Sequence, residues 1–332
     1  MKAKAVVFPD KLKVAFQEVD TPDPGPEDVV IDTRYSWISN GTEGSFLRCE
    51  RKDGECPWRE GDPWPFPIAP GYQATGVIRS VGSAVKDLAP GQWVFSLFSG
   101  VCGMYEPWGG HVSPRVTNRS LVIPLPESVP PIAASGLVLT QVGYNCGIRP
   151  PVNVGDTAAV IGDGLVGHWA AQTLHWRGAS VIMVGKHDDR LAFFPEGGAR
   201  HRVNTTRQNA VEAVGKIAPT GVAVLVDTVG SVPSIMSLMP LMRHNGHIVS
   251  AGFNGENSML DIQKLRYAEL TLHSPSGMQM DRLTSTLSLI ASGHLQTEPL
   301  ITHRFPAEQA PQAWKLILDR KETVLGVVLT WS

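Results

Sequence analysis

Up to about residue 125, apolar positions come in short runs that break at Pro- and Gly-rich turns. Residues 4–8, 28–35, 76–81 and 92–96 read as strands, and the opening MKAKAVVFPDKLKV reads as strand, turn, strand. From Pro130 onward the pattern changes. Helical spacing alternates with apolar β-type runs at residues 158–161, 180–184, 223–226 and 247–251. That alternation predicts βαβ units and a parallel sheet. Helices are predicted at residues 280–292 and 306–320, and a closing strand at 323–330. The final stretch is expected to rejoin the β-rich first part, so that the βαβ section is an insertion.

One motif stands inside the first βαβ unit. Gly162-Asp163-Gly164-Leu165-Val166-Gly167 follows the strand at 157–161 and opens the helix at 165–176. Gly162 permits the tight turn, Gly164 lets the backbone approach a pyrophosphate, and Gly167 lets helix and strand pack closely. The N–H groups of Leu165, Val166 and Gly167 at the helix start suit the phosphates. A Gly further on, Gly252, ends the strand at 247–251 and is a further contact candidate. At the end of the second strand an NAD site usually carries an acid for the ribose hydroxyls. Here Gly185 holds that position and Lys186, His187 and Arg190 follow, a set suited to a 2′-phosphate. The expected cofactor is NADP(H), ahead of NAD(H). Asp188 and Asp189 read as helix caps.

Composition narrows the function classes. Hydrophobic residues make up 42% and charged residues 18%, enough apolar chain for a large packed core. A formal net charge of -2 and the lack of a Lys/Arg block leave no footprint for nucleic acid or an acidic membrane. No apolar run reaches membrane-span length, and the start lacks signal-peptide features. Cys49, Cys56, Cys102 and Cys146 are too few for a disulfide scaffold, so a cytoplasmic location is expected.

The chain resembles the medium-chain dehydrogenase/reductases. The resemblance is carried by Asn40-Gly41-Thr42-Glu43, Pro70-Gly71-Tyr72-Gln73, Gly155-Asp156-Thr157 with the glycine motif, Asp227-Thr228-Val229-Gly230, Asn245-Gly246-His247-Ile248-Val249 and residues 299–305. It implies an α/β protein: a GroES-like β-rich catalytic domain (1–128 and 276–332) with an inserted Rossmann doubly wound parallel sheet (129–275). It also implies hydride transfer in the cleft between the two domains, a small-molecule substrate and a homodimer paired through a Rossmann edge strand. The first ~80 residues are similar to bacteriochlorophyllide dehydrogenases and to sugar- or cyclitol-type dehydrogenases.

Two departures matter. Zinc-dependent members begin the site with Cys-Gly-Thr-Asp and continue with Gly-His-Glu; Asn40 and Tyr72 stand at the ligand positions here. The region around Val138 offers no third ligand, and the four-cysteine lobe is missing. The expectation is therefore no metal, with neutral donors handling the reacting oxygen. Tyr72 is the first candidate, Thr42 the second as a proton relay, Asn40 an orienting group, and Glu43 a proton acceptor or ion-pair partner. Gln73 and Ser45 are weaker candidates. Each has a plainer role: Tyr72 as filler, Thr42 as a helix cap, His111 as a satisfied structural histidine. The polar loop at 47–66, with Trp58 and Trp64, suits a hydroxylated ring substrate or is a surface insertion. The competing functions are enoyl or quinone reduction and non-catalytic NADP(H) binding.

Overall fold

The computed structural model describes residues 1–255, 258–319 and 321–332. In chain order the first stretch holds β1 (Lys2–Asp10), β2 (Lys13–Asp20), β3 (Asp28–Trp37), α1 (Thr42–Leu47), β4 (Arg51–Asp53), β5 (Cys56–Pro57), β6 (Gln73–Val81), β7 (Trp93–Leu97), β8 (Ser99–Gly100), β9 (Trp108–Gly109), β10 (Val112–Ser113), β11 (Arg115–Asn118), β12 (Val122–Pro124) and α2 (Pro131–Ala134). The middle holds α3 (Leu137–Ile148), β13 (Thr157–Ile161), α4 (Leu165–Trp176), β14 (Ser180–Gly185), α5 (Asp188–Leu191), β15 (Arg200–Asn204), α6 (Ala210–Ile217), β16 (Val222–Asp227), α7 (Val232–Leu238), β17 (Met242–Ser250), α8 (Ile262–Tyr267), β18 (Thr271–His273) and α9 (Met280–Ala291). The last stretch adds β19 (Ile301–Pro306), α10 (Ala310–Asp319) and β20 (Gly326–Thr330).

Residue contacts divide the chain into two units, 1–137 with 301–332, and 138–300. The sequence pattern set the boundaries at 128/129 and 275/276. Contacts group α9 with the second unit, and only the chain from Ile301 onward returns to the first.

In the first unit, the sheet order is β12-β7-β6-β3-β20-β19, with β11 also paired to β3. β1 lies between β10 and β2 in a smaller sheet. β20 runs antiparallel to β3, Val328 opposite Trp37, so the chain's end is built into the strand that leads to the candidate catalytic residues. α10 is amphipathic and buries Ala310, Ala313, Trp314 and Ile317 against Phe8, Ile38 and Leu47. The Trp314 ring meets Phe8 edge-on at 5.2 Å. The loop expected at 47–66 contains the β4–β5 hairpin, and Trp58 packs edge-on against Trp64. Arg320, the predicted last residue of the helix at 306–320, lies outside the described residues.

The second unit is the predicted parallel sheet, in the order β15-β14-β13-β16-β17-β18. Each neighbouring pair is parallel. This is the doubly wound order that places ligands beyond the carboxyl ends of the strands, where the order reverses beside β13. Alternation across the strands fills two cores. Ala158, Val160, Val181, Met183, Val224 and Val226 face α4, while Ala159, Ile161, Ile182, Val184 and Leu225 pack with residues of α6 and α7. Every residue of β16 is buried, as a strand covered on both faces requires. Met239 and Met242 are buried packing in the second of these cores.

Candidate active site and dinucleotide site

β3 ends at Trp37, and residues 38–41 turn the chain into the short helix α1. Gly41, not Thr42, is the cap residue, and it has no side-chain cap bond. The cap role open to Thr42 therefore does not hold; its hydroxyl is left for other partners. Glu43 reaches back instead, its Oε1 accepting the Ser39 N–H at 2.7 Å. Its negative charge in the first turn also complements the helix dipole.

Tyr72 comes from the segment before β6. Gly71 precedes it at φ +86, where a side chain's Cβ would lie 2.8 Å from the His111 ring. That close approach fixes the Gly-Tyr pair beside His111. Burial pushes the Tyr72 phenol above its ordinary range; hydrogen bonds with the Ser39 and Thr42 side chains oppose the shift, and the nearby Glu43 charge adds to it. The phenol is thus held protonated, with a hydrogen to give. Its ring neighbours Phe98, which in turn neighbours Trp108.

Behind Tyr72 lies a buried chain of hydrogen bonds. Trp331 Nε1–H donates to Ser36 Oγ at 2.9 Å. Ser36 Oγ is 2.8 Å from His111 Nδ1, and His111 Nε2 is 2.9 Å from Glu43 Oε2. The indole nitrogen can only donate. The Ser36 hydroxyl is then free to donate to Nδ1, which leaves Nε2–H to donate to Glu43. Both Glu43 oxygens are thereby occupied, one by the His111 ring and one by the Ser39 N–H. His111 and Glu43 are 0% and 2% exposed. The Glu43 carboxylate is bonded by His111 and Ser39, and both ring nitrogens of His111 have partners.

Asn40 donates its amide to the Leu325 carbonyl at 2.8 Å. Its Oδ1 is buried with no hydrogen-bond partner among the described residues. Ser45 Oγ donates to the Thr42 carbonyl, and Gln73 is fully buried with Nε2 toward the Trp37 carbonyl. The two weaker candidates are therefore scaffold.

The chemistry of this donor set does not suit zinc. A catalytic zinc takes thiolate, imidazole or carboxylate from three protein ligands. The positions that the resemblance assigns to ligands carry an amide and a protonated phenol. The nearby imidazole and carboxylate of His111 and Glu43 hold each other. Among the described residues, no three His, Cys, Asp or Glu are grouped to hold a metal ion.

The glycine loop proposed for a dinucleotide lies in the second unit. Gly162, at φ +118, makes the turn out of β13, and a Cβ there would meet Thr228 Oγ1 at 2.2 Å. At Gly167 a Cβ would lie 2.0 Å from the Gly162 carbonyl, while at Gly164 it would meet nothing within 4 Å. α4 starts at Gly164 with no side-chain cap, so its first-turn N–H groups are left for a ligand. Asp227 closes the next strand end, its carboxylate accepting N–H groups of Val229, Gly230 and Ser231. Gly252 sits against that turn, where a Cβ would lie 1.8 Å from the Gly230 nitrogen.

One inference from the sequence needs correction. The glycine at 185 was read as the removal of a carboxylate from this corner. A carboxylate is present, and it comes from the glycine loop. An ideal Cβ on Gly185 would lie 2.5 Å from Asp163 Oδ2. His187 Nδ1 is 3.0 Å from the same oxygen, and Arg190 is 3.8 Å from Oδ1. Those two residues thus meet an acid rather than stand open, while Lys186 is exposed. Nor do Asp188 and Asp189 precede their helix: they lie in its first turn, with His187 at the cap position. Asp188 is taken up by Asn204 and Arg207. His168, on α4, donates from Nε2 to the Arg190 backbone carbonyl, and burial lowers its imidazole to about 4, so it stays neutral.

One chain that holds a doubly wound sheet with a glycine loop of this geometry and a separate β-rich unit carrying Asn40, Thr42 and Tyr72 suits a nucleotide-dependent oxidoreductase. Comparisons with known proteins agree. Residues 166–292 match the family model described as zinc-binding dehydrogenase. An L-threonine 3-dehydrogenase of Rhizobium rhizogenes is 24% identical over 340 residues, covering 92% of this chain and 94% of its own. A Sinorhizobium meliloti protein solved with NADP bound superposes with a TM-score of 0.83 at 20% identity. An alcohol dehydrogenase of Escherichia coli solved with NADH superposes at 0.84 and 20%. Both alignments cover 99% of each chain. The chain is thus similar to zinc-binding dehydrogenases over residues 166–292 and to named dehydrogenases over nearly its whole length, and it shares the fold of the solved structures. The stretch matched by the family model excludes residues 40 and 72, so it carries no information about zinc.

Proposed function

We propose that this chain is an NADP(H)-dependent oxidoreductase that interconverts an alcohol and a ketone on a polar, hydroxylated substrate without a catalytic metal. The observation that carries the reading is the protonated Tyr72 phenol, bonded by Ser39 and Thr42 at a position where zinc-dependent relatives carry a ligand. When bound, a nicotinamide would supply or take the hydride. Tyr72 donates its hydrogen to the oxygen that gains charge as a ketone is reduced. Thr42 passes a proton to Tyr72 through the hydroxyl contact between them and takes one in turn from water, to which it is partly exposed. Glu43, fixed by His111 and Ser39, discourages ionisation of the phenol and so keeps it a donor. The Asn40 amide oxygen, lacking a partner, supports recognition of a substrate hydroxyl.

In the second unit, Leu165, Val166 and Gly167 offer N–H groups to the pyrophosphate, and Gly164 leaves it room. Lys186 and His187 favour the 2′-phosphate. The relative named L-threonine 3-dehydrogenase supports alcohol chemistry over C=C reduction. The free edge at β18, with Leu272 exposed on it and Ile262 and Tyr267 exposed on the preceding helix, supports a homodimer. No helix among the described residues is long and apolar enough to cross a membrane; a cytoplasmic site of action is part of the same proposal.

The test is NADPH oxidation against a panel of hydroxyketones and a panel of enones. Faster turnover on the hydroxyketones supports this reading; turnover confined to enones replaces it with an enoyl or quinone reductase, and none on either with a cofactor-binding protein. Lys186→Ala is expected to weaken NADPH by about tenfold, the worth of one charge-assisted contact, with NADH little changed. Equal losses for both cofactors would remove Lys186 from the phosphate site.

A further inference from the structure

Asp163 is the second residue of the glycine loop, and its side chain is 8% exposed. Its Oδ2 accepts the backbone N–H groups of Lys186 at 2.7 Å and His187 at 2.9 Å. His187 Nδ1 lies 3.0 Å from Oδ2 and 3.2 Å from Oδ1. The carboxylate thus fills the corner that a strand-end acid would occupy, and it fits only because residue 185 lacks a Cβ. These contacts hold its carboxyl below the usual range against the opposing effect of burial. Its lone pairs are committed, so it is poorly placed to take the ribose hydroxyls as a strand-end acid does.

We propose that Asp163 is a positioning residue for cofactor choice: it holds the strand-end turn and the His187 ring in the arrangement that faces the 2′-phosphate of NADP(H). The inference rests on the NADP(H) reading above. Two backbone bonds fix the turn that carries Lys186 and His187. The carboxylate beside Nδ1 also fixes the orientation of the His187 ring. The His187 side chain is 51% exposed, so its far nitrogen is open to a ligand. The groups around the ring are Asp163 from the loop, Arg190 on its own helix, Lys186 at the strand end, and the Asp188–Arg207 pair. His168 on α4 is buried and neutral.

Two effects oppose each other at Asp163, and they predict opposite signs. A bare carboxylate beside a phosphate repels it, so its removal would tighten NADPH. A carboxylate that fixes the turn and aims Lys186 and His187 does the reverse. We expect the second to win, because the acid is nearly buried and surrounded by donors, whereas the imidazole reaches solvent.

The experiment is equilibrium binding of NADPH and NADH at neutral pH to the wild type, Asp163→Ala, Asp163→Asn and His187→Ala. Alanine removes the acceptor of the two backbone N–H groups, and asparagine keeps one. His187→Ala leaves those bonds intact, so the set guards against a folding defect in one variant. Asp163→Ala and His187→Ala are each expected to weaken NADPH about tenfold and leave NADH within about twofold, and Asp163→Asn to recover most of the loss seen with alanine. Tighter NADPH in Asp163→Ala, equal loss of both cofactors, or no recovery in Asp163→Asn would overturn the assignment while leaving a wild-type NADPH preference intact. A wild type that prefers NADH would instead defeat the cofactor reading, and this inference with it.

Discussion

Tyr72→Phe is expected to lower the turnover number for ketone reduction by about a hundredfold, the usual cost of losing one preorganised donor to a developing oxyanion. That is about 2.7 kcal/mol of transition-state stabilisation. The substitution removes one oxygen and keeps the ring that packs by Phe98. NADPH affinity is expected to hold, because Tyr72 belongs to the first unit and the glycine loop to the second. The substrate KM is expected to change less than the turnover number, since the interaction strengthens as charge develops. Steady-state kinetics with a titration of NADPH fluorescence would check all three. Unchanged turnover would make Tyr72 a filler of space. Loss of cofactor affinity in step with turnover would indicate a general structural defect.

The second large effect separates two glycines of one motif. Gly167→Ala is expected to destabilise the protein by about 1–3 kcal/mol, the usual cost of overpacking, and to lose NADPH binding. Its new Cβ would meet the Gly162 carbonyl at 2.0 Å, and neither backbone can yield without moving α4 off its strand. Gly164→Ala is expected to leave apo stability within about 1 kcal/mol, the usual range for a Gly-to-Ala change without a clash, because a Cβ there meets nothing within 4 Å. It should nevertheless weaken NADPH by tenfold or more, since the methyl would enter the space that the pyrophosphate needs. Thermal melts and cofactor titrations of the two variants would show the split. Equal stability losses, or unimpaired binding in Gly164→Ala, would mean that the loop does not cradle phosphate in this way.

How much of this was legible in the sequence depended on the range of the interaction. The strand at 157–161 and the helix at 165–176 coincide with β13 and α4 because apolar spacing and the glycine turn are local signals. The closing helix was drawn as one element from residue 306; it begins with a short 3-10 turn at Ala307–Gln309, because Pro306 is extended. The hairpin inside residues 47–66 was missed, since β4 and β5 are too short to show a period. Grouping α9 with the wrong part had a related cause: nothing local to Met280–Ala291 tells which sheet it serves.

The site shows the same division. That Asn40 and Tyr72 stand at ligand positions came from motif order alone. The partners that hold Glu43 could not be read, because His111 is distant in sequence and Trp331 reaches Ser36 from the chain's end. Asp163 was quoted within the glycine motif and given no role. Its neighbours in sequence are glycines, and only the parallel pairing of β13 with β14 brings it to Lys186 and His187. A useful signal would have been the combination of an acid in the glycine loop with a glycine followed by a histidine two residues on at the end of the next strand.

The account turns on whether side chains alone handle the reacting oxygen. The most direct measurement is the rate of NADPH-dependent ketone reduction before and after exhaustive dialysis against a strong zinc chelator, with metal content determined on the same samples. The account predicts the same rate in both and no zinc in stoichiometric amount. A rate that collapses on chelation and returns with added zinc would contradict it.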